Sequence, residues 1–137
     1  GNMKTITVLA DDRVGLLADV SYLLGKAKIN IESLSVDVIA GKAIISMIIK
    51  EYEKARVMLE NAGFKVSEAN SIILKLVDRP GELNKVTSML AKEGININNM
   101  QIVSKDDGNT ILSLVVDKPK KAAKTLDEWL LNKEAFQ

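Results

Sequence analysis

Residues 12–31 read DRVGLLADVSYLLGKAKINI, and residues 78–97 read DRPGELNKVTSMLAKEGINI. Laid together at an offset of 66 residues, ten of the twenty positions are identical. The chain therefore contains a duplication, and a duplication sets the unit of folding. Each half is expected to be one supersecondary module, and any site the module carries is expected twice. The shared polar residues gather at two points. One is Asp-Arg-x-Gly, at Asp12, Arg13 and Gly15 and again at Asp78, Arg79 and Gly81. The other is Ile-Asn-Ile, around Asn30 and Asn96.

Working outward, residues 5–9 (TITVL) alternate as a strand does. Residues 15–27 place Leu16, Leu17, Val20, Leu23 and Leu24 on one helical face. Ile29, Ile31, Leu34, Val36 and Val38 predict a strand over 29–39. Ala40-Gly41-Lys42 is a tight turn, and residues 43–49 (AIISMII) complete a hairpin. A helix over 51–62 ends at Gly63, followed by a short strand at 64–66. The order is βαββαβ.

The second half repeats it. A strand is expected at 71–77, a helix at 81–93 stopped by Gly94, and a strand at 95–104. A hairpin follows through Asp106-Asp107-Gly108-Asn109, with its partner strand at 110–116. Pro119 opens a final helix running to about Leu131, at a position where its missing N–H costs nothing. Residues 132–137 (NKEAFQ) make a poor strand, so the last strand of this half is missing, short or supplied from elsewhere. The expected fold class is α+β. It comprises two ferredoxin-like modules, residues 3–68 and 69–137, each a four-stranded antiparallel sheet with helices on one face. The very short connection predicts two modules packed side by side and joined at strand edges.

Composition narrows the chemistry. The chain has 137 residues, 47% of them hydrophobic, yet no apolar run approaches the roughly 20 residues of a membrane helix. The excess apolar surface is expected between modules or between chains, which predicts at least a homodimer. A net charge of +1 and five aromatic residues argue against a nucleic-acid face. Histidine and cysteine are absent. No imidazole base, Ser-His-Asp triad, cysteine nucleophile, zinc site or redox dithiol can be built. The acidic pairs Asp11-Asp12 and Asp106-Asp107 lack the spacing of a calcium loop. The glycines form neither a dinucleotide nor a phosphate-loop fingerprint. No cofactor and no metal are expected, and a chain without cysteine or a signal sequence is expected in the cytoplasm.

Two readings stand for each shared motif. Asp12 and Asp78 precede a helix, where a carboxylate caps free N–H groups for about 1 kcal/mol. Alternatively, the glycine allows close backbone approach, the helix N-terminus receives a ligand carboxylate, and the Asp holds an ammonium. Asn is depleted in strands. Asn30 and Asn96 therefore either bind the preceding helix-to-strand turn or face a zwitterionic ligand with both donors and an acceptor.

The Asp-Arg-x-Gly-x-Leu…Asn-Ile pattern, its repeat and the element order resemble tandem ACT-domain proteins over nearly the whole chain. That family consists of regulatory modules of amino-acid metabolism. They occur attached to phosphoglycerate dehydrogenase, aspartokinase and prephenate dehydratase, in the acetolactate synthase small subunit, and as stand-alone tandem proteins. The resemblance implies amino-acid binding at module interfaces. The contacting residues it implies are Asp78, Arg79, Gly81, Glu82 and Asn96, with Asp12, Arg13, Gly15, Leu16 and Asn30 as the second copy. Val14 departs from the family's usual proline, which Pro80 keeps, so the second copy of the turn is expected to be the stronger site. The function implied is a non-catalytic amino-acid sensor acting on its own assembly or on a partner. The alternative is an interaction subunit with degenerate ligand sites that docks a metabolic enzyme. A small enzyme on the same fold would need an arginine phosphate loop or paired cysteines, and neither is present.

Overall fold

The computed structural model describes residues 3–137. The chain divides between Ala69 and Asn70 into two compact units.

Module one runs β1 (Lys4–Asp11), α1 (Leu16–Lys26), β2 (Ser33–Ile39), β3 (Lys42–Ile49), α2 (Tyr52–Asn61) and β4 (Lys65–Val66). Every pairing is antiparallel, in the order β2-β3-β1-β4. Alternate strand residues point to one face. Ile6 and Val8 from β1 join Ala43, Ile45, Met47 and Ile49 from β3 there, beneath Leu16, Val20 and Leu24 of α1 and Tyr52, Ala55 and Leu59 of α2. Between β2 and β3, Ala40 and Gly41 both take positive φ, of 52° and 75°. That is the two-residue turn whose twist matches a hairpin.

Module two runs β5 (Ile72–Val77), α3 (Glu82–Lys92), β6 (Ile97–Lys105), β7 (Asn109–Val116) and α4 (Pro119–Thr125). Two short 3-10 turns follow, Asp127–Trp129 and Lys133–Phe136. Its core repeats that of module one, with Ile72, Leu74, Leu112 and Leu114 under Val86, Leu90, Ala122 and Leu126. The Asp106 side chain accepts the N–H groups of Gly108 at 2.8 Å and Asn109 at 2.7 Å, which fixes the hairpin tip. Those two bonds hold its carboxyl below the usual carboxylate range.

Three expectations are corrected. The second sheet has three strands, ordered β5-β7-β6. Its fourth member shrinks to a single bridge between Leu130 and Leu74. The final helix stops at Thr125, whose hydroxyl donates to the Lys121 carbonyl at 2.9 Å and competes with the helical ladder. Asn30 and Asn96 lie in the helix-to-strand turns, ahead of β2 and β6. The reason is the helix ending. Lys28 (φ 60°) and Gly94 (φ 69°) turn the chain left-handed. The next residue, Ile29 or Ile95, then donates its N–H back to Leu24 or Leu90 at 2.9 Å and buries its side chain. The isoleucines that suggested a strand are plugs under a helix end.

Candidate functional site

The glycine turns link β1 to α1 and β5 to α3. Gly15 (φ 85°) and Gly81 (φ 89°) sit at the helix N-caps in the left-handed region, which favours glycine. Each turn is strapped to the neighbouring hairpin tip. Asp12 N–H donates to the Gly41 carbonyl at 3.0 Å, and Asp78 N–H to the Gly108 carbonyl at 3.1 Å. The first helical amides, of Leu16 and Glu82, bend back to the carbonyls of Arg13 and Arg79 at 3.3 and 3.4 Å. The next two amides of each helix, Leu17 and Ala18 or Leu83 and Asn84, make no hydrogen bond among the described residues. Neither helix has a side-chain cap, so Asp12 and Asp78 do not serve as one. A helix start with free N–H groups beside a carboxylate suits an anion and a cation together.

The two copies differ in charge. In module one Arg13 pairs with Asp19 at 2.7 Å, and Asp12 has no side-chain partner among the described residues. The Leu16 side chain is buried in the core, leaving only its backbone at the turn. In module two Glu82 takes the place of Leu16. Its Oε1 accepts from Arg79 at 2.8 Å and Lys85 at 3.2 Å. The Arg79 guanidinium, then the Lys85 ammonium, hold this carboxyl below its ordinary range. Glu82 is 6% exposed. Asp78 is likewise engaged, accepting from the Thr110 hydroxyl at 3.5 Å and facing Lys105 at 3.4 Å.

The asparagine turns lie at the other end of each sheet. Asp11 pairs with Lys42 at the hairpin end of β3, whereas Ser33 pairs with Ile48 at its far end. Helix α1, of 11 residues, spans about 16 Å between the two turns. Within a module, Asp12 and Asn30 are therefore not brought together, and neither are Asp78 and Asn96.

A family model described as ACT domain matches residues 4–59 and again 70–129. The chain belongs to the ACT domain family. Among solved structures, it is similar to protein BT0572 from Bacteroides thetaiotaomicron, at 23% identity over 97% of this chain and 94% of that one, with a TM-score of 0.49. It is also similar to the regulatory subunit of aspartate kinase from Thermus thermophilus, at 15% identity over 93% and 92%, TM-score 0.45. A third likeness is the acetolactate synthase small subunit from Thermotoga maritima, at 12% identity over 96% and 91%, TM-score 0.45. No curated protein matches by sequence.

The asparagine ends of the two ACT modules are not equivalent. In the second, Asp117 accepts the Asn96 N–H at 2.9 Å, Lys118 donates to the Gly94 carbonyl at 2.7 Å, and the Asn96 amide donates to Asn98 at 2.9 Å. In the first, the corresponding region is an open cavity of about 350 Å³ lined by Lys28, Ile29, Asn30, Glu32, Lys50 and Glu51. Of these, Ile29 and Asn30 belong to the repeated Ile-Asn-Ile motif. Lys50 and Glu51 are signalled by a charge reversal, and Lys28 and Glu32 carry no such signal. At an offset of 67 residues, Lys50-Glu51 of one ACT module aligns in sequence with Asp117-Lys118 of the other. Among the described residues, no group of three acidic side chains is placed to hold a metal, and no helix is long and apolar enough to cross a membrane.

Proposed function

We propose that this ACT protein is a non-catalytic regulator that binds a free amino acid and passes the signal to its own assembly or to a metabolic enzyme. The observation that carries this reading is the repeated turn, in which a left-handed glycine opens a helix whose second and third amides are free. A ligand carboxylate would accept from those amides, at Leu17 and Ala18 or at Leu83 and Asn84. The ammonium would sit on Asp12 or Asp78, and Asn30 or Asn96 would orient the ligand. Because the glycine and asparagine turns of a module lie about a helix length apart, one amino acid can touch both kinds of turn only if another module, of this chain or of a second copy, contributes one of them.

Module one is the better placed half. Its Asp12 carboxylate has no partner among the described residues, and the buried Leu16 puts no competing carboxylate at the helix start. In module two the ionised Glu82 already occupies the favourable potential, although Pro80-Gly81 retains the more usual turn. The internal bonds of Asp78, Glu82 and Asn96 favour a second reading for that module alone, as a scaffold that docks a partner enzyme.

Edge strand β2 supports assembly. It exposes Leu34 and Val38, and an unpaired edge with apolar side chains invites a partner. The test is a thermal-shift screen of the full chain against the twenty amino acids. A ligand at 100 times its dissociation constant stabilises by about 2.7 kcal/mol, and a flat response to all twenty rejects the sensor reading.

A further inference from the structure

The cavity at the asparagine end of module one is lined by Lys28, Asn30, Glu32, Lys50 and Glu51. We infer that it receives the side chain of the bound amino acid and selects one that is charged or carries a carboxamide. The inference rests on the amino-acid reading above and adds the ligand's class.

The two modules make the argument by contrast. In module two the matching backbone groups are engaged from within, because Asp117 accepts from the Asn96 N–H and Lys118 donates to the Gly94 carbonyl. Module one has the charges transposed. A lysine at position 50 cannot accept from the Asn30 N–H, and a glutamate at 51 cannot donate to the Lys28 carbonyl. Among the described residues both backbone groups are left without a hydrogen-bond partner, and the cavity lies beside them. Lys28, Glu32 and Lys50 make no ion pair or hydrogen bond with their side chains among the described residues, and Glu51 reaches only Lys54, at 4.0 Å.

A cavity with ammonium groups, carboxylates and one amide presents donors and acceptors together. A ligand side chain with polar atoms gains charge-assisted hydrogen bonds there. An aliphatic or aromatic one would displace water from these charges and return nothing, which costs free energy. Asn30 lines this cavity and belongs to the ligand-orienting turn, so the ligand's backbone and its side chain are read from adjoining groups.

The experiment is calorimetric titration of the full chain with the twenty amino acids, repeated on the double variant Lys50→Asp/Glu51→Lys. This exchange copies module two and closes the cavity with the bonds seen there. The tightest ligand is expected to have a charged or carboxamide side chain, and the double variant is expected to bind it at least about tenfold more weakly at an unchanged thermal midpoint. Should the double variant fail to fold, Lys50→Gln and Glu32→Gln, both at exposed positions, carry the test with the same direction. A tightest ligand with an aliphatic or aromatic side chain overturns the inference and leaves the sensor reading standing. So does full affinity in the folded variants. Binding of none of the twenty overturns both.

Discussion

Asn132 stands beside Ile73 as a strand's backbone would. Its carboxamide oxygen accepts the Ile73 N–H at 3.0 Å, and its nitrogen donates to the Ser71 carbonyl at 2.8 Å. In module one the same edge is satisfied by β4, where Ser67 N–H donates to the Thr7 carbonyl at 3.0 Å. In module two Leu131 N–H makes that bond to the Ile73 carbonyl at 2.8 Å, and then the chain turns away. One side chain completes what a missing strand leaves open, and it is buried at 2% exposure.

Asn132→Ala is expected to leave two buried backbone groups without partners and to destabilise the protein by about 3 kcal/mol. Urea unfolding measures the loss. Hydrogen exchange at the Ile73 amide, now fast, assigns it to this edge. Asn132→Asp keeps the acceptor, loses the donor and is expected to lie between the parent and the alanine variant.

Lys28 is the only one of three matching helix ends without glycine. Gly63 and Gly94 take the same left-handed turn after α2 and α3. A side chain there costs roughly 1–2 kcal/mol. Lys28→Gly is therefore expected to raise the stability of the free protein by about 1 kcal/mol, while weakening amino-acid binding through the lost ammonium. Paired urea unfolding and calorimetry check the two signs, and gains in both would remove Lys28 from the ligand site.

Glu82 links stability to pH. Its folded carboxyl is lowered by Arg79 and then Lys85 from an ordinary value of 4.5. A lowered folded value means stability that is present above 4.5 and lost as pH falls through the folded value. Glu82→Gln is expected to lower the neutral plateau and flatten the acid limb of the stability–pH profile, with the two proteins converging below that window. An identical acid slope in parent and variant would contradict this.

The edge of β2 is expected to carry assembly. Sedimentation of the parent should give a species heavier than the 15.0 kDa chain. Leu34→Asp with Val38→Asp should return it to that mass, since unpaired charges on a docking edge are costly. A parent that sediments at chain mass with and without ligand argues against assembly through this edge.

Much of this was legible in the residues. The duplication at an offset of 66 residues predicted two like modules, and the spacing of Leu16, Val20 and Leu24 predicted the helix that covers each sheet. Asn30 and Asn96 were misplaced because Ile-Asn-Ile alternates like a strand. The left-handed residue before it, and the packing of Ile29 and Ile95 beneath the helix, decide otherwise. The edge role of Asn132 left no local signal, because asparagine is a poor strand former and its partner at Ile73 is 59 residues away. The cavity had a signal in the reversed charges of Lys50-Glu51 and Asp117-Lys118, but its meaning depends on backbone groups that only the fold places.

The central claim is that the chain binds a free amino acid through the repeated turns of its ACT modules. Calorimetry of the parent and of Asn30→Ala and Asn96→Ala, each shown to be folded, tests it most directly. The account predicts a saturable heat from one amino acid, sharply reduced in Asn30→Ala and little changed in Asn96→Ala. Equal affinity in all three proteins, or no heat from any of the twenty amino acids, would contradict it.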